Sequence, residues 1–304
     1  MPCIELLANT SLNNEPFNSL SAEGILNFKF IKNLSKENNI QIFRFIDWWE
    51  NTPMDKGLNL ALNLFHPEVN SKGYMGFVPN KYAFQLSPSN QEIFNKVVPG
   101  NIGVIGKAFL PILNRFSETT NSFIAPAFRF EHLKNPISAD RKYLLILPSI
   151  DPEESKNMIK IIFQVAELIP QLKFVIKPHP GTGKLAILNN NNKIKNIIID
   201  EKSRANELLK NAQILITSSS SAALEGIASL IPAIVLKDSC LIPNNIIPDF
   251  VSKESYRSFN DPESLIKAIN EFKNTYTHMN VFNISKYFNL PTKHNVYNFF
   301  STNL

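Results

Sequence analysis

Cysteine and glycine are both scarce in this chain of 304 residues. The two cysteines, Cys3 and Cys240, stand far apart and lack the short spacing of a metal or redox motif, which favours two reduced thiols. Ten glycines exclude a collagen-like or linker-like protein. No apolar run approaches the roughly 18–20 residues of a membrane-spanning helix, and the first residues lack the basic start and apolar run of a secretory signal. We therefore expect a soluble, cytoplasmic protein.

Charged residues make up only 19% of the chain, and the net charge is small: 31 Lys and Arg against 26 Asp and Glu give +5. The basic residues are spread along the chain, which disfavours a nucleic-acid partner and mildly favours an anionic ligand or an acidic membrane surface. Peripheral association with the inner face of a membrane, through exposed Lys and Phe, therefore stays open. The five histidines lack paired spacings, so we expect no metal site, and nothing indicates a cofactor.

The second half of the chain alternates apolar runs with helical patterns, and 44% of all residues are hydrophobic. Strands are predicted at 142–148, 173–177, 197–200, 213–217 and 232–236, with helices from Pro152 and at 205–211, 219–229 and 261–272. Strands without polar alternation, joined by helices, indicate a parallel sheet covered on both faces. Residues 141–304 are therefore predicted to form a Rossmann-like lobe.

The first half is less regular. Strands are predicted at 40–46, 73–78 and 102–105, and helices at 23–36, 58–65 and 90–97. This pattern indicates a smaller α/β lobe over residues 1–140 that is short of strands. The segment 117–141, rich in Pro, Asn and Ser, is the predicted boundary.

A first candidate binding motif follows the strand predicted at 173–177. Lys177 and His179 stand beside Pro178 and Pro180, which restrict the backbone and direct these side chains over the edge of the sheet. A cation and an imidazole at this edge suit a phosphate group. The alternative is an ordinary turn with an exposed Lys and His. A phosphate loop of the GxxxxGK type is rejected, because no Ser or Thr follows the Gly-Lys pair.

A second candidate motif joins the strand at 213–217 to the next helix. Backbone N–H groups and hydroxyls at the start of a helix suit an anion. The hydroxyls are those of Ser218, Ser219, Ser220 and Ser221. Glu225, one turn further, suits the diol of a ribose. The alternative is a simple helix cap, with Glu225 as a first-turn acid that favours the helix dipole.

A third candidate motif holds both tryptophans of the chain, Trp48 and Trp49, flanked by acids. A carboxylate beside aromatic rings at a strand end has its pKa raised and suits a general base. The flanking acids are Asp47, Glu50 and Asp55, and Glu50 is the preferred base. The alternative is that both tryptophans belong to the core and the acids cap the helix at 58–65, above all Asp55.

Together, these motifs resemble a known family. A strand that ends in LysProHisPro, followed by a strand with a Ser-rich turn and the sequence AlaAlaLeuGluGlyIleAlaSerLeuIlePro, is similar to the nucleotide-binding lobe of GT-B glycosyltransferases of bacterial surface polysaccharide synthesis. The resemblance is greatest to enzymes that use CMP-activated acidic sugars, the sialyl-, polysialyl- and Kdo transferases. It implies an α/β, GT-B-like fold of two Rossmann-like lobes with a nucleotide-binding cleft, the first lobe being incomplete.

The resemblance also implies roles for individual residues. His179 and the serines at 218–221 become ligands of the nucleotide phosphate, and Glu225 lies near the ribose. In the sialyltransferases an acidic motif that ends in Gly supplies the base. The AspLysGly of Asp55–Gly57 departs from that motif, so the base stays open between Glu50 and Asp55.

The implied activity is metal-independent transfer of an acidic nonulosonate or Kdo from a CMP donor to a glycan or lipid-linked glycan acceptor. One alternative is a transferase with a UDP-sugar or CDP-polyol donor. Another is a non-catalytic nucleotide-binding subunit of a polysaccharide assembly complex, which the short first lobe favours. A nucleotide-sugar epimerase on the same fold would need acids near the donor sugar, which the sequence does not place.

Overall fold

The computed structural model describes residues 19–37, 40–134, 141–181, 194–218, 220–237, 247–248, 251–275 and 284–301. The chain forms two compact units. The first comprises Met1–Pro79, Ala83–Arg129 and Ser285–Leu304, and the second Asn80–Tyr82 and Phe130–Ile284. The predicted boundary after residue 140 differs from this division, which places the last helices with the first unit. In the part of the chain that the structure describes, no helix is long and apolar enough to cross a membrane.

The first unit contains a parallel sheet of four strands in the order β1-β2-β3-β4. The strands are β1 (Arg44–Trp48), β2 (Asn70–Met75), β3 (Asn101–Val104) and β4 (Ser122–Ile124). The helices are α1 (Ser19–Leu34), α2 (Pro53–Phe65), α3 (Asn90–Phe94), α4 (Leu110–Leu113), α9 (Ile284–Tyr287) and α10 (Lys293–Phe300). Strand β4 lies inside the segment predicted as a boundary, because three residues are too few to show a strand pattern.

Two helices of the first unit approach each other through glycines. A Cβ atom on Gly57 of α2 would lie 1.9 Å from the carbonyl oxygen of Gly24 of α1, so neither helix tolerates a larger residue there. Below this contact, Ile31 of α1 packs against Ala61 and Leu62 of α2. The two helices thus cover part of the first sheet as one layer.

The carboxyl-terminal helix α10 belongs to the first unit through its aromatic side chains. The ring of Phe299 is buried and lies 5.4 Å from that of Tyr74, 5.6 Å from that of Phe128 and 6.2 Å from that of Phe123, measured between centroids. Such ring pairs are favourable beyond the area they bury. This packing explains why residues 293–300 group with strand β2 and not with the sheet that precedes them in the chain.

The second unit contains a parallel sheet of six strands in the order β10-β9-β8-β5-β6-β7. The strands are β5 (Tyr143–Leu147), β6 (Phe174–Ile176), β7 (Ile197–Ile199), β8 (Ala212–Thr217), β9 (Ala233–Leu236) and β10 (Tyr256–Phe259). The helices are α5 (Pro152–Leu168), α6 (Ala205–Leu209), α7 (Ala222–Ala228) and α8 (Pro262–Thr275). The five predicted strands and the parallel sheet are confirmed. Strand β10 is not predicted from the sequence, because Arg257 and Ser258 interrupt its apolar residues.

The order of these strands fixes where the second unit can bind a ligand. From β5 the chain passes to β6 and β7 on one side, and then returns to β8 on the other side of β5. The carboxyl ends of β5 and β8 therefore lie at the switch point of the sheet, where open parallel sheets bind their ligands. The turns after β5, β6 and β8 are neighbours along this edge.

Candidate functional site

The turn that follows β8 begins with two buried hydroxyl residues. Thr217 Oγ1 donates a hydrogen bond of 2.6 Å to the carbonyl oxygen of Leu147, which ties the end of β8 to the end of β5. Ser218 is 1% exposed, and its Oγ has no hydrogen-bond partner among the described residues. A buried hydroxyl without a partner costs free energy that a polar ligand would recover. Ser218 therefore marks the switch point as a candidate binding site.

Ser220 and Ser221, which follow in the turn, differ in their contacts with the start of α7. Ser220 Oγ accepts a hydrogen bond of 3.3 Å from the N–H of Ala222, the first residue of α7. Ser221 is the N-cap residue, and its side chain makes no capping hydrogen bond. Ser219 lies outside the described residues. Because one serine caps the helix, the hydroxyls of Ser218 and Ser221 are not needed for that purpose.

His179 follows β6, on the other side of β5 from the serines. Its Nδ1 accepts a hydrogen bond of 3.1 Å from the N–H of Gly181. In the neutral imidazole the proton is then on Nε2, which makes Nε2 a hydrogen-bond donor. Pro178 beside it is buried, whereas Pro180 is exposed. The turn thus holds the ring in one orientation, as expected of a residue between two prolines.

Lys177 is directed away from the serine turn. Its Nζ donates a hydrogen bond of 2.8 Å to the carbonyl oxygen of Glu201, in the loop after β7. Strand β7 is the outer neighbour of β6, whereas β8 lies beyond β5. The structure therefore brings the turns of His179 and Ser218 to one edge of the sheet, on either side of β5, and joins Lys177 to the outer strand.

Glu225 lies in the first turn of α7, where its side chain meets a histidine. His132 Nε2 lies 3.2 Å from Glu225 Oε2, and both side chains are 16% exposed. His132 belongs to the 3-10 helix Phe128–Lys134. From the sequence, His132 is considered only as a metal ligand. The sequence does not predict the contact between His132 and Glu225, because no local pattern links residues so distant in the chain.

In the first unit, one acid has an unusual environment. Asp47 is 9% exposed and lies near the carboxyl end of β1. Burial, reinforced by the charge of Asp55, raises the pKa of Asp47 to about 6, although the side chain of Asn59 donates a hydrogen bond of 3.4 Å to Asp47 Oδ2. In the sequence Asp47 is noted beside the tryptophans but not selected as the base. The available signal is the pair Trp48 and Trp49, since aromatic neighbours exclude water.

The two acids selected from the sequence serve the local structure. Asp55 Oδ2 accepts hydrogen bonds from the N–H of Thr52 at 2.8 Å, the hydroxyl of Thr52 at 3.1 Å and the N–H of Glu50 at 3.1 Å. Asp55 thus takes part in a helix cap, but as the third residue of α2: the helix begins at Pro53 and not at residue 58, and Thr52 is its N-cap residue. Glu50 is exposed, and its Oε1 accepts a hydrogen bond of 2.9 Å from Trp48 Nε1. Among the described side chains, no group of three His, Cys, Asp or Glu is placed to hold a metal ion.

The tryptophans themselves differ in burial. Trp49 is fully buried, as the core interpretation predicts, whereas Trp48 is 49% exposed. The ring of Trp48 packs edge-on against Tyr74, with centroids 5.7 Å apart. The core interpretation therefore holds for one tryptophan only, and Trp48 presents an indole face at the end of β1.

No protein-family model and no curated protein sequence matches the chain. Solved structures do match its fold. One is a UDP-GlcNAc 2-epimerase from Methanocaldococcus jannaschii in complex with UDP-GlcNAc and UDP, at TM-score 0.58 and 17% identity over 86% of this chain and 75% of that one. Another is a UDP-GlcNAc 2-epimerase from Neisseria meningitidis bound to UDP-GlcNAc, at TM-score 0.57 and 14% identity over 90% and 78%. A GtfA/B complex matches at TM-score 0.52 and 13% identity over 88% of this chain and 56% of that one.

These likenesses establish the fold. The protein has a GT-B-like architecture of two Rossmann-type units with parallel sheets, as the resemblance implies. None of these three structures is described as a CMP-sugar transferase, so the expected relationship to those enzymes is not confirmed. The ligands named for the two epimerases are UDP and UDP-GlcNAc. Fold likeness at such low identity does not transfer an activity, so function rests on the site.

Proposed function

We propose that the protein is a glycosyltransferase whose second unit binds a UDP-sugar. The observation that carries the proposal is the unpartnered hydroxyl of Ser218, buried at the switch point between β5 and β8 of a GT-B-like sheet. The crevice at that point is the ligand-binding position of open parallel sheets. A polar ligand at this edge gives the Ser218 hydroxyl the partner that the described chain does not offer.

A diphosphate suits the donors along this edge. Ser218 and Ser221 offer hydroxyls on one side of β5, and the imidazole of His179 lies in the turn on the other side. Two phosphate groups can use the two turns that flank β5, which supports a nucleoside diphosphate over the monophosphate of a CMP-sugar. The UDP ligands of the structural relatives support the same choice. A UDP-sugar therefore replaces the CMP-activated acidic sugar as the proposed donor.

We assign the general base to Asp47 in preference to Glu50 and Asp55. A base works best when its pKa lies near the pH of the cell, and the pKa of Asp47 is raised to about 6. Asp55 already accepts three hydrogen bonds in the cap, and Glu50 is exposed. In the proposed reaction a base takes the proton of an acceptor hydroxyl, and Asp47 is the described acid of the first unit whose pKa suits that role. The oxygen of that hydroxyl bonds to the anomeric carbon of the sugar, whose bond to the diphosphate breaks, and UDP leaves.

Epimerisation of a UDP-sugar is the second candidate function, because two of the matched structures are UDP-GlcNAc 2-epimerases. The two functions differ in what happens to UDP. Transfer needs an acceptor and releases UDP as the sugar leaves, whereas 2-epimerisation changes the configuration of one carbon of the sugar. NMR spectra of UDP-GlcNAc incubated with the protein, with and without oligosaccharide acceptors, separate them. New UDP-linked sugar signals without an acceptor support epimerisation, and acceptor-dependent release of UDP supports transfer.

Calorimetry with UDP, CDP, CMP and GDP tests the donor assignment. We expect UDP to bind most tightly and the Ser218→Ala variant to bind it more weakly than the wild type. Ser229→Ala, at the opposite end of α7, is the matched control and should bind UDP as the wild type does. A preference for CMP, or unchanged UDP affinity in Ser218→Ala, would contradict the proposal. Binding of UDP without turnover of any UDP-sugar would favour the non-catalytic subunit.

A further inference from the structure

We infer that the outer face of helix α1 docks on an anionic lipid bilayer and lies in the plane of its surface. The outer face consists of exposed apolar and basic side chains on the side of α1 that turns away from α2. They are Ile25, Leu26, Lys29, Phe30 and Lys36. The inference goes beyond the proposed function, because this surface would bind lipid whether or not the second unit binds a nucleotide.

The apolar side chains of the outer face are open to solvent. Ile25 is 58% exposed, Leu26 62% and Phe30 59%. The opposite face of the helix is already covered, since Ile31 is buried against α2. A surface helix that packs on one side normally carries polar residues on the other. Helix α1 is therefore apolar on two sides, and the described chain covers one of them.

Lysines share this outer face. Four residues recur at intervals of four, three and four, which places them in one line along the helix and the turn that follows it. They are Ile25, Lys29, Lys32 and Lys36. Lys32 Nζ lies 5.7 Å from the centroid of the Phe65 ring on α2, whereas Lys29 and Lys36 are exposed and form no ion pair with a described residue. Two ammonium groups thus stand beside the exposed apolar side chains.

An anionic bilayer matches this combination of groups. Apolar side chains of a surface-bound helix enter the boundary between the head groups and the acyl chains. Lysine stems lie along the same apolar layer while their ammonium groups reach the lipid phosphates. The acids of this segment, Glu23 and Glu37, lie towards the start of α1 and after its end. The middle of the outer face therefore carries apolar and positively charged groups together.

A second copy of the chain fits the outer face less well. A symmetric dimer brings the same patch of both copies together. Lys29, near the middle of the helix, would then face its own copy across the interface. Placing like charges together costs free energy, whereas head groups of opposite charge attract the same lysine. The charges of the outer face therefore favour a bilayer over a second copy.

Sedimentation with lipid vesicles tests the inference. We expect the wild type to sediment with vesicles made of equal parts of phosphatidylglycerol and phosphatidylcholine. With vesicles of phosphatidylcholine alone it should stay in the supernatant, because the lysines have no anionic head groups to bind. Raised salt should weaken sedimentation with the anionic vesicles, since salt screens exposed charges.

Two variants and their controls locate the surface. Leu26→Ser should bind anionic vesicles about tenfold more weakly, since burial of a Leu side chain contributes about 1.5 kcal/mol or more. Its matched control is Leu168→Ser, because Leu168 is 64% exposed at the end of α5. Lys29→Gln should bind about fivefold more weakly, since a lysine near an anionic surface contributes about 1 kcal/mol. The exposed Lys160→Gln, also on α5, is its control, and melting temperatures show that all four variants are folded.

The outcomes decide the inference independently of the proposed function. It is overturned if the wild type does not sediment with anionic vesicles, or if either variant binds them as its control does. It is also overturned if ultracentrifugation shows a wild-type dimer that Leu26→Ser converts to a monomer while no vesicles are bound, since the face then joins two copies. Vesicle binding without UDP binding in calorimetry would support the inference and contradict the proposed function, and UDP binding without vesicle binding would do the reverse.

Discussion

Lys72 Nζ donates a hydrogen bond of 2.9 Å to the carbonyl oxygen of Phe299 and one of 3.2 Å to that of Ser301. These carbonyls belong to the end of α10, where a helix has no internal partners for them and where a positive charge is favourable. The lysine is fully buried on β2, and its ammonium lies 6.0 Å from the centroid of the Phe123 ring. A strand of the first unit therefore caps the last helix of the chain.

Replacing this lysine tests the attachment of α10. Lys72→Met keeps an unbranched side chain and removes the ammonium, which leaves two helix-terminal carbonyls without a partner. We expect the free energy of unfolding to fall by about 1–3 kcal/mol, the cost of buried groups that lose their hydrogen bonds. Urea denaturation measures it, with the exposed Lys267→Met as control. If the two variants were equally stable, the hydrogen bonds of the Lys72 ammonium would only offset the free energy that its burial costs.

Asp47 predicts a pH dependence of stability. Its pKa is raised from the ordinary 3.8 to about 6, so the folded state holds the proton more tightly than the unfolded state does. The stabilisation is complete below about pH 4 and is lost as the pH rises through 6. Asp47→Asn should therefore be more stable than the wild type at pH 8, by at most about 3 kcal/mol. Urea denaturation between pH 4 and pH 8 measures the difference.

The same substitution has the opposite effect on activity. Asp47→Asn removes the proposed base and should lower the transfer rate while raising stability at pH 8. Glu50→Gln, in the same loop, is the control, because Glu50 is exposed and is not the proposed base, and it should keep more transfer activity than Asp47→Asn. If Asp47→Asn kept full transfer activity, the base would have to be sought at Glu50 or Asp55.

Adjacent residues at the end of β8 predict contrasting effects. Ser218→Ala removes a hydroxyl that has no partner within the described chain, so the stability of the free protein should not fall, while UDP should bind roughly tenfold more weakly. Thr217→Val should destabilise the protein by about 1–3 kcal/mol, because the carbonyl oxygen of Leu147 loses its partner. Melting temperatures with and without UDP check both. A large loss of stability in Ser218→Ala would show that its hydroxyl serves the fold.

His179 allows its two nitrogens to be tested separately. In His179→Asn the amide oxygen takes the place of Nδ1 and can accept the hydrogen bond from the N–H of Gly181, but no donor replaces Nε2. In His179→Gln the amide N–H takes the place of Nε2. We expect UDP to bind roughly tenfold more weakly to His179→Asn and nearly normally to His179→Gln, since the phosphate contact is worth about one hydrogen bond. Calorimetry measures both affinities. If His179→Asn bound UDP more tightly than His179→Gln, the hydrogen bond from Gly181 that orders the turn would be needed for binding, and the proposed contact of Nε2 with the phosphate would not.

Most of the second unit was predictable because its inner strands β5, β6, β8 and β9 are largely buried on both faces. Continuous apolar runs such as Tyr143–Leu147 need only their own composition to be recognised. The first unit was less predictable, because β1 begins four residues later than expected and β4 has three residues. Neither of the last two helices was predicted, since their short apolar patterns become meaningful only against the rings of the first sheet.

By itself the sequence determined the alternation of strands and helices in the second half, the serine turn after β8, the rigid turn at His179 and the cap at Asp55. Each of these depends on residues close together in the chain, whose backbone preferences and local hydrogen bonds act before the fold is complete. Only the tertiary structure decided that Asp47 is the acid with the raised pKa, that His132 meets Glu225 and that Lys72 holds α10. Burial, and contact between distant residues, exist only once the chain has packed, so no local pattern could report them.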